Sequence, residues 1–163
     1  MGRHIILNTQ PGDSKVDGAV ASMQKKPRTA QWEDRLSFPL DRLRELELTA
    51  EDKVYLVGHG GDNGTLGGRP PKELALMVRQ QVLPVGQINL VMCGNARVVE
   101  SAESFTTMLQ KGEDGYRGKV FAYAAPLEID ETGSKWADPP YSVYEEAENW
   151  KLDITDRLKP DTD

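Results

Sequence analysis

One thiol and one imidazole in this sequence follow apolar segments of the kind that form buried strands. His59 ends the segment VYLVGH, and Cys93 ends the segment INLVMC. Parallel strands end at one edge of an open sheet, where ligands bind, so the two side chains are predicted to lie side by side. A thiol beside an imidazole is what a cysteine nucleophile with a histidine partner requires. The pattern therefore predicts a cysteine peptidase.

The chemistry of such a pair makes demands on its surroundings. The thiolate is the attacking form, and a nearby imidazolium lowers the pKa of the thiol and offers a proton to the leaving amine. Gly60 directly follows His59, so the backbone N–H groups of Gly60 and Cys93 are candidates for an oxyanion site. Several glycines between positions 58 and 68 leave room for an extended substrate. We expect the sulfur to lie near the ring and to be open to solvent.

Each of these residues also has an ordinary structural explanation. A lone cysteine at a strand end is more often a small buried apolar residue, and a histidine among glycines is often a simple loop residue. Asp13 follows the turn Pro11-Gly12 and would by default be an N-cap. A dinucleotide-binding loop is disfavoured because the GxGxxG spacing fails at Asn63, and no GxSxG motif of serine hydrolases is present. From the residues alone, the peptidase and the structural explanation are about equally supported.

Length and composition limit the possible functions. The 163 residues fit one domain with a proper core, and the net charge of −6 gives no electrostatic support for nucleic-acid binding. No apolar run approaches the roughly 20 residues that cross a bilayer. Cys93 is the only cysteine, so no internal disulfide can form. The Cys and His side chains that could bind a metal are Cys93, His4 and His59. A metal site is therefore not expected.

The elements that position these residues alternate between strand and helix patterns. Strands are predicted over 3–10, 53–58, 87–92 and 119–125, and helices over 14–26, 40–48, 70–83 and 102–111. Leu74, Met77 and Val78 are predicted to form the buried face of the third of these helices. Residues 28–35 are ambiguous, with a short strand favoured, and 127–137 forms a hairpin about Thr132-Gly133. Residues 142–154 add a strand or a helix. The alternation indicates βαβ units and a mostly parallel sheet.

Several segments, covering nearly all of the chain in order, resemble one known family. They are IILNTQPGD with the helix that ends in KKP, LVGHG, TLGG with KELA, INLVMCGN, LEIDETGSKWA and AENWKLDI. The family is that of the caspase-like (clan CD) cysteine peptidases. The likeness is to the cysteine protease domains of the multifunctional-autoprocessing RTX toxins and of the large clostridial glucosylating toxins. Met92 stands where this family usually has Gly.

The resemblance implies the fold and the domain organisation. It implies an α/β fold in which a mostly parallel, caspase-like sheet is flanked by helices and followed by a C-terminal β-hairpin flap. Residues 1–163 would then form a single cysteine protease domain, with its core at 3–125, its flap at 126–156 and a polar tail at 157–163.

The resemblance also implies roles for three residues. Cys93 would be the nucleophile, His59 its partner and main proton donor to the leaving group, and Asp13 would orient the imidazole through its far nitrogen. The substrate would be a peptide or protein with leucine before the scissile bond, the parent chain among the candidates. Since the sequence begins at the first strand, autocleavage is expected in trans or in a longer chain. A secreted bacterial toxin or effector module that acts in the host cytosol is expected, without a nucleic-acid partner or a membrane span.

Members of this family are activated by inositol hexakisphosphate, which binds a basic surface away from the catalytic cysteine and histidine. The positions that the resemblance assigns to this activator are Lys25, Lys53, Lys135, Arg3 and Lys151, with contributions expected from Lys15, Lys26 and Lys119. A ligand with so many negative charges needs several basic side chains that converge on it. The opposing explanation is that these lysines are solvated surface residues among the hairpin carboxylates Glu128, Asp130, Glu131 and Asp138.

Two functions other than a peptidase stay open on the sequence. One is a catalytically impaired inositol-phosphate-binding module, which stays open because Met92 stands where the family usually has Gly. The other is a nucleotide-binding α/β protein, which has less support. Binding of inositol hexakisphosphate without reaction at the thiol would identify the first, and affinity for a mononucleotide the second.

Overall fold

The structure is a computed structural model that describes residues 2–25, 35–61, 63–93, 98–124, 127–137 and 145–158. Its strands are β1 (His4–Asn8), β2 (Arg35–Pro39), β3 (Lys53–His59), β4 (Gln87–Cys93), β5 (Lys119–Tyr123), β6 (Leu127–Ile129), β7 (Lys135–Ala137), β8 (Glu145–Glu146) and β9 (Lys151–Asp153). Its α-helices are α1 (Ser14–Gln24), α2 (Pro71–Val82), α3 (Val98–Gln110) and α4 (Ile154–Arg157). The predicted α/β class, with a mostly parallel sheet flanked by helices, is confirmed and is consistent with a caspase-like fold.

The sheet is parallel at its centre and antiparallel at its C-terminal side. Strands follow in the order β2-β1-β3-β4-β6-β7-β8, and β5 pairs with both β4 and β9. The β4 strand has two successive neighbours on one side, since Asn89 pairs with Phe121 of β5 and Cys93 pairs with Leu127 of β6. The hairpin strand β6 therefore begins directly beside the end of β4.

Each face of the sheet has its own apolar cluster. On one face, α2 and α3 contribute Leu74 and Phe105 to a cluster with strand residues such as Leu56 and Leu90. On the other face, α1 packs over a second cluster, whose strand members include Ile6, Val57 and Val91. Successive strand residues alternate between faces, so His59 and Cys93, two residues beyond Val57 and Val91, belong to the α1 face.

The segment before α1 forms a turn and a helix cap. Gly12 has φ +95°, a conformation that glycine adopts without steric cost. The Asp13 Oδ1 accepts hydrogen bonds from the backbone N–H groups of Lys15 (3.0 Å) and Val16 (3.1 Å). The predicted N-cap is thus confirmed, and it places the Asp13 carboxylate at the sheet edge where β3 and β4 end.

One predicted element lies mostly outside the described chain, and one differs from the structure. The strand favoured for 28–35 falls on residues 28–34, which lie outside the described part of the chain, so this prediction stays untested; the structure has a strand at Arg35–Pro39. The helix predicted for 40–48 is a 3₁₀ helix over Leu40–Glu45, and Leu46 is extended. Leucines at 40, 43 and 46 repeat every three residues, which is the period of a 3₁₀ helix. The sequence pattern was compatible with both helix types.

The prediction of the buried face of α2 was also partly wrong. Leu74 and Val78 are buried as predicted, but Met77 is 44% exposed, and Ala75 and Val82 complete the buried face instead. A helix covers a sheet with one stripe, and Met77 lies outside that stripe.

The C-terminal segment forms the predicted hairpin and a return strand. The β6 and β7 strands pair antiparallel about a turn at Thr132 and Gly133. Both alternatives for 142–154 occur in part, because β8 leads into a 3₁₀ helix (Ala147–Trp150) and then into β9. Residues 142–144 lie outside the described chain.

Candidate active site

His59 and Cys93 are direct neighbours in the sheet. They are register partners at the ends of the parallel strands β3 and β4. Adjacent strands lie about 4.8 Å apart, so the two side chains leave the same sheet face at that spacing. The proximity that the sequence predicts for these two residues is therefore present in the backbone.

The imidazole of His59 is held by the carboxylate of Asp13. The His59 Nε2 lies 3.1 Å from both Oδ1 and Oδ2 of Asp13. A carboxylate only accepts hydrogen bonds, so Nε2 carries the proton in this pair and Nδ1 is the nitrogen left for proton exchange. Hydrogen bonds from the backbone N–H of Val16 and from the His59 ring hold the pKa of Asp13 below its ordinary value. The carboxylate therefore stays charged while it orients the ring.

Glycines beside His59 allow three backbone segments to meet. A Cβ atom at Gly58 would lie 2.2 Å from the Thr9 hydroxyl, and one at Gly67, which has φ +59°, would lie at the same distance. The Thr9 hydroxyl donates to the Val57 carbonyl at 2.8 Å. Arg69 Nη1 donates to the Thr9 carbonyl at 2.9 Å. These contacts fix the glycine-rich loop against the end of β1.

One contact of His59 was not predicted from the sequence. The backbone N–H of His59 donates to the side-chain Oε1 of Gln10 at 2.7 Å. A glutamine in a turn segment has no sequence signal that distinguishes it from an ordinary polar loop residue.

The thiol of Cys93 is covered rather than open, which corrects our expectation. Cys93 is 3% exposed, although it belongs to neither apolar cluster. Burial raises the pKa of the Cys93 thiol; the positive charge of Lys15 opposes this shift and the negative charge of Glu128 adds to it. The β6 strand pairs alongside the end of β4, with Leu127 as the register partner of Cys93. In this state the reactive thiolate is disfavoured.

The predicted oxyanion donor Gly60 is engaged in another hydrogen bond. Its N–H donates to the Cys93 carbonyl at 3.0 Å, and the N–H of Gly61 donates to the Thr65 carbonyl at 3.0 Å. The Gly60 N–H would have to exchange this partner before it stabilised an oxyanion. An oxyanion role for Gly60 and Cys93 therefore stays a prediction.

Met92, the residue that departs from the family pattern, lies away from His59 and Cys93. It is buried in the cluster beneath α2 and α3, on the sheet face opposite to His59 and Cys93. Its register partner is Gly58. The side chain is thus accommodated in the core and does not enter the candidate site.

A basic cavity of about 220 Å³ lies on the same sheet face as α1, but at the other end of the strands. Three neighbouring strands begin there in register, where His4 of β1 pairs with Arg35 of β2 and with Lys53 of β3. The lining residues are His4, Ile6, Met23, Arg35, Tyr55, Tyr123, Gly133, Lys135, Glu148 and Lys151. From Lys53 to His59, β3 spans about 20 Å, which separates the cavity from His59 and Cys93.

The structure brings some predicted basic residues to this cavity and not others. Lys135 and Lys151 line it, and Lys53 shares the sheet face of Tyr55, which also lines it. Arg3 is not among the lining residues, and its Nη2 lies 2.9 Å from the Asp52 Oδ2.

The other predicted lysines lie elsewhere or outside the described residues. Lys25 is exposed at the C-cap of α1, Lys15 lies in the first turn of α1 at the thiol end, and Lys119 pairs with Asp153 at 3.7 Å. Lys26 lies outside the described chain. Sequence reasoning missed Arg35 and His4, whose only signal would have been their place at the start of strands that pair in register.

The comparison with protein families decides the assignment. Residues 4–137 match the model of the peptidase C80 family, which is well over half of the chain and includes Asp13, His59, Cys93 and the β6–β7 hairpin. The chain belongs to the peptidase C80 family. As a C80 peptidase it is a cysteine endopeptidase, and its substrate is a peptide or protein. A comparison of the sequence with curated proteins returned no match.

Two further properties of this C80 peptidase concern membranes and metals. No helix that the structure describes is long and apolar enough to cross a membrane. In the part of the chain that is described, no three His, Cys, Asp or Glu side chains form a group that would hold a metal ion.

Proposed function

We propose that this C80 peptidase hydrolyses peptide bonds with Cys93 as nucleophile, His59 as acid–base partner and Asp13 as the residue that orients His59. The observation that supports this assignment is the His59 ring, bound through Nε2 to Asp13 beside the register partner Cys93. A nucleophile, a base and a group that orients the base form the arrangement that covalent hydrolases use.

The chemistry follows from these positions. The Cys93 thiolate attacks the carbonyl carbon, and the carbonyl π pair moves to oxygen to form a tetrahedral oxyanion. Collapse of this intermediate breaks the C–N bond, and His59 gives a proton to the leaving amine to leave a thioester on Cys93. His59 then takes a proton from water as the water attacks the thioester, and breaking of the C–S bond releases the carboxylic acid and restores the Cys93 thiolate beside protonated His59.

The proposed specificity is for leucine before the scissile bond. Its support is the resemblance of the sequence to the autoprocessing domains of bacterial toxins, which also supports a role as a module of a secreted toxin or effector. The test is labelling by a leucyl peptide electrophile, followed by intact mass. Wild type is expected to gain one adduct, and Cys93→Ala none, with its fold intact by circular dichroism. A labelled or active Cys93→Ala variant would remove the nucleophile assignment.

We also propose that inositol hexakisphosphate activates the peptidase from the basic cavity. The covered Cys93, with its raised thiol pKa, supports a resting state that needs a signal. The β6–β7 hairpin connects the cavity with Cys93, because Leu127 of β6 pairs with Cys93 while Gly133 and Lys135 line the cavity. Arg, Lys and phosphate groups form strong charge-assisted hydrogen bonds, so the cavity suits a polyphosphate.

The activator is tested by removing charge from the cavity. The double variant Lys135→Ala/Lys151→Ala is expected to lose the rise in Tm and in labelling rate that inositol hexakisphosphate gives to wild type. The matched control is Lys72→Ala/Lys111→Ala, which removes two exposed positive charges elsewhere. A ligand at 100 times its Kd stabilises the folded state by about 2.7 kcal/mol, which is readily measured. Equal responses of the two double variants would contradict the assigned site.

A second candidate function is an inositol-phosphate-binding module with impaired catalysis. The covered thiol favours it as well. Such a module would gain Tm with the ligand and yet take no label at any ligand concentration. The same pair of measurements therefore separates the two functions.

A further inference from the structure

The backbone of His59 is bound by a side chain where the β1–β3 ladder ends. The register pairing of β1 with β3 ends at Asn8 and Val57, and the Thr9 N–H adds one further bond to the Val57 carbonyl at 3.0 Å. Beyond this point the His59 N–H donates to the Gln10 Oε1 at 2.7 Å. The Gln10 amide thus extends the ladder by one hydrogen bond up to the residue that carries the imidazole.

Gln10 is itself held in place, through both its backbone and its side chain. The Gln10 backbone N–H donates to the Asn8 Oδ1 at 2.9 Å. A Cβ at Gly58 would lie 3.1 Å from the Gln10 Oε1, and one at Gly68 would lie 3.4 Å from Nε2, so the amide lies between two glycines. A backbone N–H is only a donor, so the oxygen of the amide must face His59. These contacts account for the orientation of the amide, whereas the absence of a Cβ at position 58 follows first from the Thr9 hydroxyl, which would lie 2.2 Å from it.

We propose that Gln10 is a positioning residue for His59, an inference that rests on the proposed role of His59 as acid–base partner. Asp13 restrains the far end of the imidazole, and a ring held at one end can pivot if its Cα moves. Gln10 holds the backbone N–H of His59, and the Gly67 N–H donates to the His59 carbonyl at 2.9 Å, so these contacts together with Asp13 set the direction of Nδ1. The contacts from Gln10 and Asp13 come from one short segment, 10–13, whose position is fixed by the cap of α1. A misplacement of about 1 Å in such a site costs about 100-fold in rate.

The experiment compares three single variants in the full chain. Gln10→Met keeps the length of the side chain but removes the acceptor, and Gln10→Glu keeps an acceptor at the same reach. Ser101→Ala is the structural control, since it removes one hydrogen bond from the far side of the glycine-rich loop, where the Ser101 hydroxyl donates to the Gly64 carbonyl at 2.7 Å.

Gln10→Met is expected to lower kcat by about 10- to 100-fold with KM within about threefold of wild type. Gln10→Glu is expected to recover most of the lost kcat, and Ser101→Ala to keep kcat within about twofold. A purely structural role would lower Tm without this split. Normal kcat in Gln10→Met, no recovery in Gln10→Glu, or an equal loss in Ser101→Ala each overturns the proposal.

A measurement that needs no substrate separates this proposal from the proposed function. In ¹⁵N-labelled protein, the Nε2–H resonance of His59 reports its hydrogen bond to Asp13. This resonance is expected to shift or broaden in Gln10→Met and to match wild type in Ser101→Ala. If wild type neither cleaves nor takes a label, the catalytic assignment fails while the resonance still tests Gln10. If wild type is active and the Gln10→Met resonance is unchanged, only the role of Gln10 fails.

Discussion

At the scale of single residues, the Asp13 carboxylate both caps α1 and binds the His59 ring. Its Oδ1 caps α1 through the N–H groups of Lys15 and Val16, and both its oxygens lie 3.1 Å from the His59 Nε2. Asparagine caps a helix about as well as aspartate but carries no charge. Substitution by asparagine therefore separates the two roles.

Asp13→Asn is expected to keep the stability of the protein and to lower kcat by at least about tenfold, because the Nε2–H of His59 loses the carboxylate that orients the ring. Asp13→Ala is expected to lower kcat further and also to lose about 1 kcal/mol of stability from the missing cap. Denaturant unfolding and steady-state kinetics measure the two effects. Full activity in Asp13→Asn would show that the carboxylate only caps the helix.

The reactivity of Cys93 should depend on pH in a direction set by its burial. Burial raises the pKa of the thiol, and the thiolate is the reactive form. Without an activator, alkylation by iodoacetamide is expected to increase with pH through a midpoint above about 8.5, the value of a free cysteine. Cys93 is the only cysteine, so intact mass gives its rate directly.

The same titration tests the charge of Lys15. Its positive charge lowers the pKa of Cys93, so Lys15→Met is expected to move the alkylation midpoint upward. Lys72→Met, on the exposed side of α2, is the control and should leave the midpoint in place. An unchanged midpoint in Lys15→Met would mean that the lysine does not act on the thiol.

At the scale of elements, α1 connects the two ends of the sheet. Its N-cap Asp13 holds the ring of His59, and its C-terminal turn contacts the tip of the β6–β7 hairpin. A Cβ at Gly133 would lie 2.4 Å from the Ser22 carbonyl oxygen and 3.0 Å from the Cα of Met23. The hairpin in turn begins beside Cys93, at Leu127. A change in how the hairpin lies on α1 would therefore reach the thiol.

Gly133→Ala is expected to destabilise the protein and to weaken activation. Gly133 has φ +82°, which costs a residue with a Cβ about 1–2 kcal/mol, and the added carbon would also collide with the backbone of α1. Gly112→Ala is the matched control, since Gly112 has φ +81° but only the end of the Arg79 side chain nearby, at 3.7 Å.

Thermal unfolding and the response to inositol hexakisphosphate measure the difference between these two variants. Both should lose stability, and only Gly133→Ala should also lose ligand-dependent labelling of Cys93. Equal behaviour of the two would mean that contact of the hairpin with α1 has no functional role.

At the scale of the whole molecule, stability resides mainly in the cluster beneath α2 and α3, which is the larger of the two. Phe105 is fully buried there, so Phe105→Ala is expected to cost about 3–5 kcal/mol in the free energy of unfolding. Met77→Ala, on the exposed side of α2, is expected to cost less than about 1 kcal/mol. Urea unfolding measures both, and a similar loss in the two variants would contradict the assignment of Phe105 to the core and of Met77 to the exposed side of α2.

Much of this fold follows from local sequence patterns. The apolar runs that end at His59 and Cys93, the cap at Asp13 and the turn at Gly133 were all predicted at the positions where the structure has them. Each of these features depends on a few consecutive residues, because strand periodicity, capping and turn conformation are local properties. The sequence by itself thus determined which residues reach the same edge of the sheet.

The tertiary structure decided what those residues contact. The bond from His59 to Gln10, the bond from Gly60 to the Cys93 carbonyl and the pairing of β6 with β4 at Cys93 each join segments far apart in the chain. The assembly of Arg35 with His4 at the basic cavity depends in the same way on the register of β2 against β1. Such contacts follow from how strands pair and how closely glycines let backbones approach, and no short stretch of sequence encodes either.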